Sequence, residues 1–256
     1  MQTLLTIPFN TIYQIVTAIL VAVLAVLMFN YFWLSIKEKS YHPEQWTYFL
    51  KNNKIPKELV VIEENYDDII RFYNFWFQIE RLKRENIKGD FAELGVYKGD
   101  AAKIIHIMDK SRKLHLFDTF EGFKEEDLQV ETGEVKKYST KNFADTSHEK
   151  VLENIDGGEN IIIHKGYFPH TTKGLETTKF AFVSIDADLY NPIKEGLNYF
   201  YPLLSAGGVI IIHDYNNKWE GAIRAVNEFA AKIPENIIEI PDKYGSVMII
   251  RNKISA

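Results

Sequence analysis

From Ile12 to Leu34 the chain reads IYQIVTAILVAVLAVLMFNYFWL, interrupted by polar side chains only at Gln14, Thr17 and Asn30. No charged residue occurs between Met1 and Ile36. At about 1.5 Å per residue such a helix spans the roughly 30 Å hydrocarbon layer of a bilayer. Tyr13 near one end and Tyr31, Phe32 and Trp33 near the other match an interfacial aromatic belt. A cleaved signal peptide would need a basic leader and a small-residue cleavage site, and the sequence shows neither clearly. Residues 1–36 are therefore expected to form one transmembrane helix, with residues 11–35 as the membrane contact. Lys37, Lys39, Lys51 and Lys54 follow it and no Lys or Arg precedes it, which places the rest of the chain on the cytoplasmic side.

The pattern then changes twice. Residues 37–64 are polar and lysine-rich with Pro43 and Pro56, and read as a linker or loose cap. Residues 66–85 repeat apolar positions at helical spacing, with Asp67 and Asp68 suited to the N-terminal end. From residue 90 onward β-rich runs alternate with helical ones, which predicts a parallel sheet covered on both faces. The strands fall at 90–94, 113–117, 160–164, 180–185, 207–213, 236–240 and 246–251. Helices fall at 99–110, 142–155, 192–204 and 218–233. The last two strands are joined by PDKYG, too short for a crossover helix, so the final pair is antiparallel. The expectation is an α/β domain over 65–256 with a seven-stranded, mostly parallel sheet and an antiparallel last strand.

Composition narrows the chemistry. A formal net charge of −5 gives no basic footprint for nucleic acid. The absence of cysteine excludes disulfides, thiolate metal sites and cysteine nucleophiles. In an open α/β sheet, ligands sit at the C-terminal ends of the strands, and four such ends here are polar. Glu93 closes the first, and Gly95 and Gly99 follow it in a turn unlike G-x-G-x-x-G. A carboxylate there suits a cationic amino-acid group better than a pyrophosphate, although an ordinary left-handed turn has the same composition. Asp118 ends the second strand, where an acid can hold ribose hydroxyls or simply cap a turn. The third strand end carries Gly166, Tyr167 and Phe168, an adenine platform or a plain turn. Asp186, Asp188, His213 and Asp214 follow two adjacent apolar strands. They read as hard ligands for a divalent cation, as an acid and base pair, or as helix caps.

In combination and in order, FAELGVYKGDAA, LFDTFEGF, the GYF turn, DADLY, YPLLSAGGVIIIHDY and AVNEF resemble the macrocin O-methyltransferase (TylF/NovP-type) family over roughly residues 66–240. The resemblance implies a Rossmann-like class I methyltransferase fold and an S-adenosylmethionine-dependent O-methyltransferase activity. It also implies that Glu93, Gly95, Val96, Tyr97, Gly99, Asp118, Thr119, Phe120 and Gly166 bind that cofactor. Asp186, His213 and Asp214 would hold a divalent metal, usually Mg²⁺ with Mn²⁺ as an alternative, and Asp186 or His213 would take the acceptor's proton. Position 213 departs from the family's usual Asp, and imidazole shifts the preference toward softer ions. Tyr97, Tyr190 and Tyr215 are further candidates for the pocket wall.

The cytoplasm is where S-adenosylmethionine is made, so the orientation of the helix and the cofactor agree. The expected acceptor is a small molecule, glycolipid or lipid-linked sugar held at the membrane, and a homo-oligomer or membrane complex is compatible with the helix. The rival from another class is a non-catalytic subunit that keeps the methyltransferase fold and uses the helix to join a complex.

Overall fold

A computed structural model describes residues 9–39 and 42–253. The chain divides into two compact units, one ending at Ile55 and the other beginning at Pro56. The first contains α1 (Phe9–Lys39) and α2 (Glu44–Lys51). Helix α1 has no acidic residue in its first turn, and the side chains from Asn10 to Leu34 are all exposed. Its stretch Asn10–Ser35 has a mean hydropathy of 2.6, long and apolar enough to cross a membrane. Residues 1–8 of the expected span lie outside the described residues.

The segment read as a linker is largely helical, since α2 and α3 (Lys57–Asn65) occupy most of it. Pro43 and Pro56 stand at the N-caps of these helices with φ of −56° and −58°. A fixed φ that blocks a helix interior is compatible with a helix start, so these prolines mark beginnings where the sequence reading saw breaks. The second unit accordingly starts at Pro56, upstream of the expected 65.

Beyond α3 the order is α4 (Ile69–Arg84), β1 (Asp90–Leu94), α5 (Asp100–Met108), β2 (Leu114–Asp118), α6 (Glu125–Leu128), α7 (His148–Ile155), β3 (Ile161–Lys165), β4 (Phe180–Ile185), α8 (Tyr190–Leu203), β5 (Leu204–Ile212), α9 (Glu220–Ala230), β6 (Ile238–Ile240) and β7 (Ser246–Ile250). The seven strands form one sheet in the order β3-β2-β1-β4-β5-β7-β6. All pairs are parallel except those made by β7, which runs antiparallel to both β5 and β6. Both the mixed sheet and its antiparallel last strand agree with the expectation.

Successive side chains of a strand face opposite sides of the sheet, and both sides here are apolar. On one side Phe91 and Phe182 meet Phe75 of α4, with Phe182 at ring distances of 5.6 and 5.5 Å. On the other, Leu94, Phe117, Phe180, Ile185 and Ile212 join Leu197, Phe200, Val226 and Phe229 of α8 and α9 in one core. Burying each such side chain contributes about 1.5–3 kcal/mol. Strand order reverses between β1 and β4, which opens the crevice where doubly wound folds bind ligands. Glu93, near the end of β1, and Asp186, just beyond β4, both line that crevice.

One polar chain interrupts the core. His115 Nε2 lies 3.1 Å from Asp90 Oδ2, and its Nδ1 lies 2.9 Å from His164 Nε2. Burial and the neighbouring His115 push the His164 imidazole down to about 4 from 6.5. The fold thus favours neutral His164, and the unfolded chain takes up its proton first as the medium is acidified. This contribution to stability is complete above pH 6.5 and is lost as the pH falls toward about 4. The thermal midpoint of His164→Gln should therefore fall less steeply between pH 7 and pH 4.5 than that of the parent, by the share of one titrating group, in differential scanning fluorimetry.

Candidate active site

The crevice is a cavity of about 790 Å³, within the range of small-molecule and cofactor sites. The turn that leaves β1 forms one side. Gly95 has φ +84°, and a Cβ built on it would lie 2.0 Å from the Asp186 carbonyl oxygen. Gly95 is therefore required by the chain itself: its bare Cα lets the exit of β1 lie against the exit of β4. The Asp186 N–H, donating to the Leu94 carbonyl at 2.8 Å, closes the same contact.

Asp118, at the end of β2, organises the rest of the turn. Its Oδ2 accepts the N–H groups of Val96 and Tyr97 at 2.7 and 3.0 Å, and its Oδ1 accepts that of Phe120 at 2.6 Å. Tyr97 and Phe120 have φ of +50° and +54°, unusual values for aromatic residues, held by these bonds. The Asp118 carbonyl also receives the Gly166 N–H at 2.9 Å, tying the end of β3 to the same point. Tyr97 donates its hydroxyl to Asp145 at 2.8 Å and stacks edge-on against Phe143, so residues 143–146 fold over this end of the cavity.

Seven of the nine expected cofactor positions line the cavity: Glu93, Gly95, Val96, Tyr97, Asp118, Thr119 and Gly166. Gly99 and Phe120 do not. Gly99 begins α5 with a Cβ position 2.9 Å from Val151, and the ring of Phe120 turns toward His148 of α7. Tyr190 and Tyr215 are likewise outside the wall, their hydroxyls bound to Glu228 and Asn227.

Glu93 is 1% exposed, and its Oε2 has no hydrogen-bond partner. Burial first, and then the charge of Asp186, push its carboxyl well above the usual range, with Arg71 opposing. A buried carboxylate oxygen facing a cavity without a donor is a receptor for a cation.

Asp186 is held from two sides. Arg71 of α4 donates from Nη2 to Oδ2 at 2.7 Å, and His213 Nδ1 lies 3.1 Å from Oδ1. His213 Nδ1 is also 3.3 Å from Asp214 Oδ2. Burial works against charge on Asp186, but Arg71 and His213 outweigh it and hold the carboxyl well below the usual range. Burial likewise lowers His213, and the carboxylates of Asp186 and Asp214 overcome this and raise it to about 10. Asp188, with φ +59°, is pushed well above the usual range by burial and by Asp214. Asp186, His213 and Asp214 each offer one donor atom, all within 4.8 Å of one another, a set that fits a single divalent cation. Because Arg71 binds Oδ2 of Asp186, Oδ1 is the oxygen left facing the other two donors.

Arg71 is absent from the sequence-based set, yet its signal was present. It falls on the same helical stripe as Phe75, Ile79 and Leu82, all buried, where a cation must have a partner.

Comparison with known proteins places this geometry in a class. Residues 69–248 match the family model described as macrocin-O-methyltransferase (TylF). The chain belongs to that family, a family of O-methyltransferases, as the ordered motifs predicted. It is similar to an 8-demethyl-8-(2,3-dimethoxy-alpha-L-rhamnosyl)-tetracenomycin-C 4'-O-methyltransferase of Streptomyces olivaceus, 26% identical over 156 residues, 57% of this chain and 60% of that protein. The chain thus spans less than two thirds of that relative's length. It is also similar to demethyldecarbamoylnovobiocin O-methyltransferase of Streptomyces niveus, 27% identical over 185 residues, 67% of this chain and 70% of that protein. Among solved structures, the O-methyltransferase NovP superimposes with a TM-score of 0.60 at 26% identity, covering 72% of this chain and 81% of its own.

Gly95→Ala is expected to destabilise the fold by about 3 kcal/mol, because the added methyl must displace the backbone at Asp186. Urea unfolding followed by tryptophan fluorescence measures this, and a midpoint equal to the parent's would show that β1 and β4 can separate freely.

Proposed function

We propose that the protein transfers a methyl group from S-adenosylmethionine to a hydroxyl of a sugar or similar acceptor held at a membrane. The observation that carries the reading is the partnerless Oε2 of Glu93, buried in the wall of the cavity. It offers an unpaired acceptor to the cofactor's ammonium group, whose positive charge would favour the ionised carboxyl, next to Asp118, which suits the ribose. Family membership and the names of the relatives support the choice of reaction.

In the transfer the acceptor oxygen bonds to the methyl carbon as the carbon–sulfur bond breaks, and the hydroxyl proton leaves to a base. Alignment and exclusion of water provide much of the rate. The two bases expected from the sequence are committed to each other: Asp186 accepts from Arg71 and pairs with His213. Asp188 lines the same cavity, but its surroundings favour its protonated form, so it can accept a proton only after losing its own. A divalent ion held by Asp186, His213 and Asp214 would supply Lewis acidity to the acceptor hydroxyl. With one imidazole among its donors, that set suits Mn²⁺ and other first-row ions as well as Mg²⁺. Tyr66, Trp219 and Tyr244 add flat faces to the same wall, a surface on which a sugar ring can rest.

The exposed, uncharged face of α1 supports a single-pass anchor with the second unit on the cytoplasmic side, and with it an acceptor that is a glycolipid, a lipid-linked sugar or another membrane-associated small molecule. Titration calorimetry of the full chain with S-adenosylhomocysteine tests the cofactor assignment. Glu93→Gln should weaken binding about 10- to 100-fold, the worth of a hydrogen bond to a charged group; undiminished affinity would remove Glu93 from the site. Alkaline carbonate extraction of membranes tests the anchor, which should keep the full chain in the pellet and release a variant lacking residues 1–39.

A further inference from the structure

Between β2 and α7 the chain makes a long excursion, residues 119–147, in which α6 is a single short turn of helix. Phe123, Lys124, Asp127 and Phe143 of this excursion line the cavity. Its rings continue those of the site. Tyr97 meets Phe143 at 5.1 Å, Phe143 meets Phe123 at 5.2 Å, Phe123 meets Tyr138 at 6.2 Å, and Tyr138 meets Trp219 at 5.1 Å. One aromatic chain thus runs from the turn after β1 to the N-cap of α9, and its three middle members belong to the excursion. A segment with so little regular structure keeps one shape only through its contacts to the scaffold.

Glu131 supplies the central contact. It is 2% exposed, and its Oε1 accepts the N–H of Tyr190, the first residue of α8, at 2.6 Å. Its Oε2 lies against Gly221, the second residue of α9, so closely that a Cβ there would stand 2.3 Å away. Neither helix has a side-chain cap on its own N-cap residue, Leu189 or Trp219. The first N–H groups of a helix lack intrahelical partners and its N-terminus favours an acidic group, so the Glu131 carboxyl takes the place of the missing cap on α8 and stands at the start of α9. Contacts on either side reinforce it. Asp127 Oδ1 receives the Tyr167 hydroxyl at 2.8 Å and Asn191 Nδ2 at 3.0 Å, and Thr132 donates its Oγ1–H to Glu220 Oε2 at 2.6 Å. Both helices follow strands that end in site residues, Asp186 and Asp188 before α8, His213 and Asp214 before α9. We infer that Glu131, which does not itself line the cavity, is a positioning residue of the methyltransferase site: it clasps the excursion onto α8 and α9 and so fixes the aromatic wall against which the acceptor is aligned.

The clasp rests on the proposed reaction only for what the wall meets, and hydrogen–deuterium exchange of the full chain, read by mass spectrometry, tests it. Glu131→Ala should speed exchange in peptides from 119–147 and from the first turns of α8 and α9 by about 5- to 30-fold, the loss expected for a helix cap, while β1, β4 and β5 exchange as in the parent. Glu131→Gln, whose amide oxygen still accepts from Tyr190, should restore slow exchange. Gly221→Ala drives a methyl into the carboxyl and should open the same peptides, yet add nothing in a Glu131→Ala background, where the clash is gone. In titration calorimetry Glu131→Ala should bind S-adenosylhomocysteine about 3- to 10-fold more weakly, because a loose wall must be ordered on binding. Peptides 119–147 indifferent to Glu131→Ala, exchange that rises evenly over the whole chain, additive effects of the two substitutions, or unaltered affinity would each overturn the inference. A parent that does not bind S-adenosylhomocysteine loses the proposed function, and the exchange pattern of the free protein then decides the clasp alone.

Discussion

The buried ion pair between Arg71 and Asp186 is the contact on which the site depends. Arg71 is carried by α4 and Asp186 by the exit of β4, so their 2.7 Å contact joins the helix that precedes the sheet to the crevice at its centre. Neither charge is well solvated, and removing one leaves the other uncompensated, a loss larger than the net worth of the pair. The same carboxylate reaches His213 beyond β5, and its backbone N–H returns to Leu94 at the end of β1. Three neighbouring parallel strands, β1, β4 and β5, and one helix are thereby registered at a single residue.

That arrangement has an electrostatic consequence across the cavity. The negative charge of Asp186 raises the cost of ionising Glu93. Arg71 and His213 limit that cost by balancing Asp186 locally. A cationic ligand arriving beside Glu93 would meet a carboxyl oxygen without a hydrogen-bond partner, while Asp186 is already paired with Arg71.

Much of this was legible in the sequence, for physical reasons that differ by element. The strands were readable because apolar runs such as FAFVSI and GVIII end abruptly in polar residues, and PDKYG is too short for anything but a hairpin. The cofactor turn was readable through its acid and glycines, but Gly95 was attributed to the approach of a ligand, whereas its neighbour is the backbone of Asp186, a contact between residues 91 positions apart that spacing cannot reveal. Phe120 was placed in the pocket because it follows Asp118, and a left-handed φ turns it away. Helices α2 and α3 were hidden by polarity and by prolines that turned out to start them. Arg71 was overlooked because a single charge in a helix is ordinary until its burial is known.

The role of Asp118 is the clearest case of a residue doing something different from, yet compatible with, its expected part. A carboxylate has about four lone-pair positions, and three here are taken by the N–H groups of Val96, Tyr97 and Phe120. Those bonds hold two aromatic residues in conformations they rarely adopt, so Asp118 shapes the turn before any ligand arrives. One position remains for a ribose hydroxyl, and a second hydroxyl must find another acceptor or displace an amide. Preorganisation of this kind lowers the ordering cost of binding. It also means that substitution of Asp118 would remove the turn together with the ligand contact, so loss of binding in such a variant would not by itself distinguish a cofactor residue from a structural one. Glu93, whose Oε2 makes no bond within the protein, is free of that ambiguity, and for that reason the functional reading rests on it.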